Sequence, residues 1–242
     1  METTVQNSNF NQKKIPAQDR MDIYAGIHKA VRAFLTDTLG RVARLDLDDA
    51  QQVADTVAQV RELLVFCTDH IAHENEFVHT AMEARQPGSA GGTASDHVHH
   101  AETVAMLLAH CNGLLSGTDA ERHVAWRQLQ RGLALFTGDN LLHMDVEETV
   151  NNAVLQACYT DAELVALHQR ILASLSPREM AVSTRWLLIG SSPAERAQIM
   201  GGMRAEAPPP AFDAMLGIAR QCLAPAEWAK LAAALAPQRV AA

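Results

Sequence analysis

Aromatic residues are scarce, at 5% of the chain, and stretches in which β-branched and polar residues alternate are almost missing. Without those two features the sequence has little to build a β-sheet from. No apolar run approaches the roughly 20 residues that a membrane-spanning helix needs. Basic residues are also in deficit, with 20 Lys and Arg against 28 Asp and Glu and a net charge of −8. That balance argues against a nucleic-acid binder, which needs a basic patch, and against a polybasic membrane contact. Cysteine is limited to Cys67, Cys111, Cys158 and Cys222, widely spaced and without a C-x-x-C pair. Neither a disulfide framework nor a cysteine zinc site is indicated, and the thiols are expected to be reduced, as in a cytoplasmic protein. Residues 1–20 lack the apolar core of a signal peptide and read as a polar, partly disordered tail.

Hydrophobic residues make up 48% of the 242 positions, enough for a sizeable core. Their spacing is helical, so the predicted fold class is all-α. A first helix begins near Asp22 and carries Ile23, Ile27, Val31, Phe34, Leu35 and Val42 at helical intervals. After the turn "LDLDD", with Asp46 or Asp48 as cap, a long second helix is expected to about Ala84. "RQPGSAGGTAS" is the next break. A third helix is expected from about Ser95 to Leu115. The capping box Thr118-x-x-Glu121 then opens a long fourth helix to about Tyr159. The remaining residues, 160–242, read as an extension of five short helices. Capping boxes start at Thr160, Ser176 and Ser192, and prolines at 177, 193 and 225 suit first helical positions.

The chemistry is concentrated in two short stretches, "HIAHENEF" at 70–77 and "HMDVEE" at 143–148. Each contains His-x-x-x-Glu, which puts the two side chains on one helix face a turn apart. At about 100° per residue, His70 and Glu74 share a face with Leu63, Cys67, Phe77 and Ala81. Likewise His143 and Glu147 share one with Phe136, Val150 and Val154. A carboxylate placed in an apolar stripe is costly unless something compensates its charge, and a metal ion does so. The other two long helices supply matching histidines. His28 lies at the edge of the first helix's stripe. His97 and His100 both project onto the stripe of the third, with His100 slightly favoured. His73 is within reach as a ligand or a support, and Tyr24 sits one turn before His28, expected to face the core with a solvated hydroxyl. Glu76 and Glu148 are expected as surface residues, and His79, His99, His110, His123 and His168 as surface or packing residues. A mixed imidazole and carboxylate set suits iron, manganese or zinc, and carboxylates that can bridge favour two cations.

His28, then "HIAHENE", "DHVHH" and "HMDVEE", resembles the hemerythrin-like (HHE cation-binding) domain of bacterial type, over roughly residues 21–158. The resemblance implies an up-down four-helix bundle over 21–159, followed by the 160–242 extension. It implies a non-haem di-iron centre with an oxo or hydroxo bridge, held by His28, His70, Glu74, one histidine of the third helix, His143 and Glu147. The two glutamates would be the bridging ligands. The implied function is binding or sensing of O2 or NO. The second glutamate, four residues after its histidine, departs from the Asp five residues on in the oxygen-carrying members and argues against oxygen transport. Three other readings fit the ligand set: an oxidoreductase consuming peroxide or NO, an iron-handling or stress-response protein, and a structural metal site in an interaction module. No residues beyond the metal ligands are assigned to catalysis. A homodimer is the candidate assembly, through the methionine-rich stretch "IMGGMRAEAPPPAFDAML", although helical core packing explains those methionines as well.

Overall fold

A computed structural model describes residues 20–236, which are helical throughout apart from short connections and contain no strand. The polar tail expected at 1–20 lies outside them except for Arg20. Among the described residues, no helix is long and apolar enough to cross a membrane.

Helix α1 spans Ala25–Ala43, and Asp22 caps it by accepting from the backbone N–H groups of Tyr24 and Ala25. The start is three residues later than the apolar spacing indicates, because Asp22 spends its carboxylate on the cap. Helix α2 (Ala50–His73) is capped by Asp49, not by Asp46 or Asp48. Asp46 instead accepts from the Asp48 N–H and closes the preceding turn. Helix α2 continues without a break through a π-helical turn, Glu74–His79, into α3 (Thr80–Arg85). Helix α4 (Gly91–Ser116) begins four residues before the expected Ser95, taking Gly91 and Gly92 of the break into its first turn. Helix α5 (Asp119–Val146) opens with the expected box, Glu121 accepting from the Thr118 N–H at 2.8 Å. A second π-helical turn, Glu147–Asn151, joins it to α6 (Asn152–Cys158). There the Asn152 N–H donates to the Glu147 carbonyl, five residues back.

The helices α1, α2, α4 and α5 make a closed ring of contacts: α1 on α2, α2 on α4, α4 on α5 and α5 on α1. Small residues let α4 and α5 approach closely; a Cβ on Gly132 would lie 3.0 Å from Leu107 Cδ2. One apolar cluster fills the ring at one end, with Phe34, Leu63, Leu64, Leu107, Leu133 and Phe136. A second lies at the other end, with Ile23, Tyr24, Val78, Met82, Leu155 and Leu164. His28, His70, His97 and His143 fall, along their helices, between the residues of these two clusters. The polar centre is thus closed off by hydrocarbon at both ends.

The extension comprises α7 (Asp161–Ser174), α8 (Pro177–Gly190), α9 (Pro193–Glu206), α10 (Pro209–Cys222) and α11 (Pro225–Leu235), with prolines in the first turn of the last four. It shares its core with the long helices. Trp186 of α8 is buried and stacks on Phe34, with ring centroids 4.0 Å apart, and Leu164 and Leu167 of α7 pack into the second cluster. Gly190 ends α8 against α1, where a Cβ would come within 2.9 Å of the Lys29 carbonyl oxygen. The methionines flagged in the sequence pack inward: Met200 is fully buried in a third cluster, with Met203 and Met215 against it.

Candidate metal centre

Six of the seven predicted ligands meet in space. His28 of α1, His70 of α2, His97 of α4 and His143 of α5 bring their Nε2 atoms to Glu74 and Glu147, which open the two π-helical turns. The donor atoms form two overlapping sets that share Glu74: Glu74, His97, His143 and Glu147 in one, His28, His70 and Glu74 in the other. Within each set all donor atoms lie within 4.8 Å of one another. Glu147 Oε2 is 3.3 Å from both His28 Nε2 and His143 Nε2, so this carboxylate faces both sets. The Nε2 atoms of His97 and His143 are 2.9 Å apart. Two imidazole nitrogens that bind one ion at about 2.1 Å and a right angle are separated by nearly that distance.

Electrostatics make the same point. Glu74 and Glu147 are buried, and all four of their carboxylate oxygens, with His28 Nε2, lack a hydrogen-bond partner. Burial pushes the Glu74 carboxyl up, but His70, His28 and His97 around it hold it well below the usual carboxylate range. Burial disfavours the charged form of His28, yet Glu147, Glu148 and Glu74 raise it well above the ordinary histidine value. His143 is likewise raised against its burial, by Glu147 and Asp96. Protons on these histidines thus compensate two buried carboxylates. Ions with the same charge and more coordinating capacity fit the same space, and the residues present suit imidazole-carboxylate metal ligation.

Three of the four histidines are held from behind. Glu148 Oε1 accepts from His28 Nδ1–H at 2.9 Å, and Arg32 grips the same carboxylate with both terminal nitrogens, at 2.7 and 2.9 Å. Asn75 Oδ1 accepts from His97 Nδ1–H at 2.9 Å, and Asp96 Oδ2 lies 3.2 Å from His143 Nδ1. Such contacts hold a proton on Nδ1 and aim Nε2 inward, where its lone pair is free once the histidine is neutral.

Several expectations need correcting. Glu148 is not a surface residue: its carboxylate is three-quarters buried and orients His28. Arg32, one turn after His28, was the available signal. The Tyr24 hydroxyl is not solvated; it is buried without a hydrogen-bond partner. Desolvation, with the charges of Glu147 and Glu74, raises it well above the usual phenol value. His100 is buried beside His143, ring centroids 5.0 Å apart, but its nitrogens lie outside both donor sets, and it is His97 that converges with the glutamates. Burial among other histidines pushes His100 down to about 4. His73 turns away, with Nε2 3.5 Å from Glu179 Oε1 of α8. His79 is buried, stacked on His97, and bonded at 3.1 Å to Thr93.

The π-helical turns explain a further miss. Each inserts one residue and shifts the helix face by about 100°. Val78 is therefore buried more deeply than Phe77, which packs half-buried against the second cluster, and Asn151 takes the inward position expected for Val150, which is 43% exposed. Such turns occur often at functional sites, and here both begin at the converging glutamates. The chain matches no protein-family model, and a search of curated proteins likewise returns no match.

Proposed function

We propose that this chain is a hemerythrin-like protein: an up-down four-helix bundle of α1, α2, α4 and α5 around a dinuclear non-haem iron centre that binds or senses O2 or NO in the cytoplasm. The observation that carries this reading is the pair of donor sets sharing Glu74, with four orphaned carboxylate oxygens between four imidazole nitrogens. On it, His97 and His143 would hold one ion, His28 and His70 the other, and Glu74 and Glu147 would bridge them. When bound, two irons supply reversible electron transfer to a small diatomic.

The chain's own residues do the rest. Glu148, Asn75 and Asp96 keep the Nδ1 protons of His28, His97 and His143 in place. The two apolar clusters exclude water. Tyr24 offers the only unpartnered hydroxyl proton of the second cluster close to the carboxylates, suited to donate to a ligand that gains charge. His70, the most exposed of the four histidines at 11% of its side chain, marks the side from which a small molecule arrives. An oxidoreductase is the second reading, and the cavity on that side favours it.

The test is metal content and visible spectrum of iron-loaded protein, reduced without air and then given O2 or NO. About two irons per chain and a reversible spectral response are expected. A single zinc indifferent to both gases would overturn the proposal.

A further inference from the structure

A cavity of about 390 Å³ lies against His70 and Glu74, enclosed by α1 and α2 on one side and α7 and α8 on the other. The extension contributes about half of its apolar wall through Ile171, Leu172, Leu175, Met180 and Leu187, facing Ile27 of α1. These side chains are half-buried although they lie beneath packed helices; the surface they leave bare faces the cavity.

Its size does not suit a diatomic. At about 30 Å³ for each small molecule, the space is more than ten times what O2 or NO occupies, and it falls in the range of pockets that hold organic ligands. Water would fill it poorly, because few of its walls offer hydrogen bonds. Besides His70 and Glu74, its polar groups include the carboxylates of Asp22, Asp69 and Glu179 and the hydroxyls of Ser183 and Thr184. Among the described residues, no lysine or arginine lines it, so an anionic headgroup would meet carboxylates without a fixed cation there.

We infer that this cavity is a binding site for an uncharged, elongated apolar organic molecule of roughly ten to fifteen non-hydrogen atoms at about 30 Å³ each, with one end against His70 and Glu74. The pocket and its ligand class stand on the cavity alone. Contact of the ligand with a metal centre rests on the proposed function.

The experiment uses the full chain, metal-free and loaded with cobalt(II), and the fluorescent probe aminoanthracene, displaced by dodecanol or by dodecanoate. Saturable binding of one probe per chain is expected in the metal-free protein, reversed by dodecanol and not by dodecanoate. Leu172→Trp or Leu187→Trp should weaken it at least tenfold with an unchanged circular dichroism spectrum. If either variant misfolds, Leu175→Trp, at a more open position, serves in its place. In the cobalt-loaded protein dodecanol should shift the visible bands. Absence of saturable binding in both forms, indifference to the tryptophans, or equal displacement by dodecanoate would overturn the inference. Binding with no shift of the cobalt bands would refute the placement at the centre. Failure to load metal, with probe binding intact, would refute the metal reading and leave the pocket.

Discussion

Glu148→Ala tests the centre without touching any of the six converging side chains. The substitution removes the acceptor 2.9 Å from His28 Nδ1 and frees Arg32, whose side chain is 38% exposed and can turn to solvent. The fold should persist, because Glu148 joins no apolar cluster. His28 loses the contact that fixes its tautomer and ring angle. Groups in this position contribute a factor of about 10 to 100 in metal affinity. Glu148 Oε1 divides itself between His28 and Arg32, so the middle of that range applies: about 2 kcal/mol, a thirtyfold loss. Glu148→Gln keeps an acceptor but not the charge, and about 1 kcal/mol, or fivefold, is expected. The assay is a cobalt(II) titration against a competing chelator, with circular dichroism to verify the fold. Only the ion held by His28 and His70 should weaken; the step belonging to His97 and His143 should stay. Two steps that weaken equally, or a titration identical to that of the parent protein, would refute the division of the centre into these halves.

Four further outcomes follow from the same structure. Metal binding must displace the protons that the buried carboxylates hold on His28 and His143, so calorimetry in buffers of different ionisation enthalpy should show net proton release and tighter binding as pH rises; no release would contradict the assigned charges. The metal-free protein should behave oppositely in stability: His28 is raised in the fold, so its contribution is complete below its unfolded value near 6.5 and is lost as pH rises through the folded one, which urea melts across that window would detect. Trp186→Ala should cost about 3 to 5 kcal/mol and lower one cooperative transition, whereas loss of α8 alone with an unchanged midpoint for the rest would show that the extension is not part of the core. Val150→Ser should shift stability by less than about 0.5 kcal/mol while Leu155→Ala costs about 2 to 5 kcal/mol; a large loss at Val150 would mean that the π-helical turn is misplaced.

The sequence exposed the helices and the centre to different degrees. Helical spacing and capping boxes located every long helix, since both depend on neighbours within one turn. His-x-x-x-Glu placed both glutamates and their histidines because four residues span a single turn. The spacing was silent beyond that point. A π-helical turn changes the phase by one residue and leaves no compositional mark, so Val150 was set on the wrong face. Glu148 was hidden for another reason: its partners His28 and Arg32 are over a hundred residues away, and a pattern along one helix cannot reveal a contact made across two. The preference for His100 over His97 failed similarly, because the two project onto one stripe and only the position of Asn75 separates them.

The stack of Trp186 on Phe34 also bears on how the protein is made. Its two rings are separated by about 150 residues, which a ribosome adding roughly 5 to 20 residues per second needs about 8 to 30 s to traverse. Over roughly the last 39 residues of that interval, about 2 to 8 s at the same rate, all six converging side chains, through Glu147, have been made while α7 and α8 are still being added. A newly made chain therefore has all six converging side chains before the wall that covers one side of them, and on the proposed function a metal arriving early would meet a centre open to solvent there. The extension, synthesised after the four long helices, is what closes it.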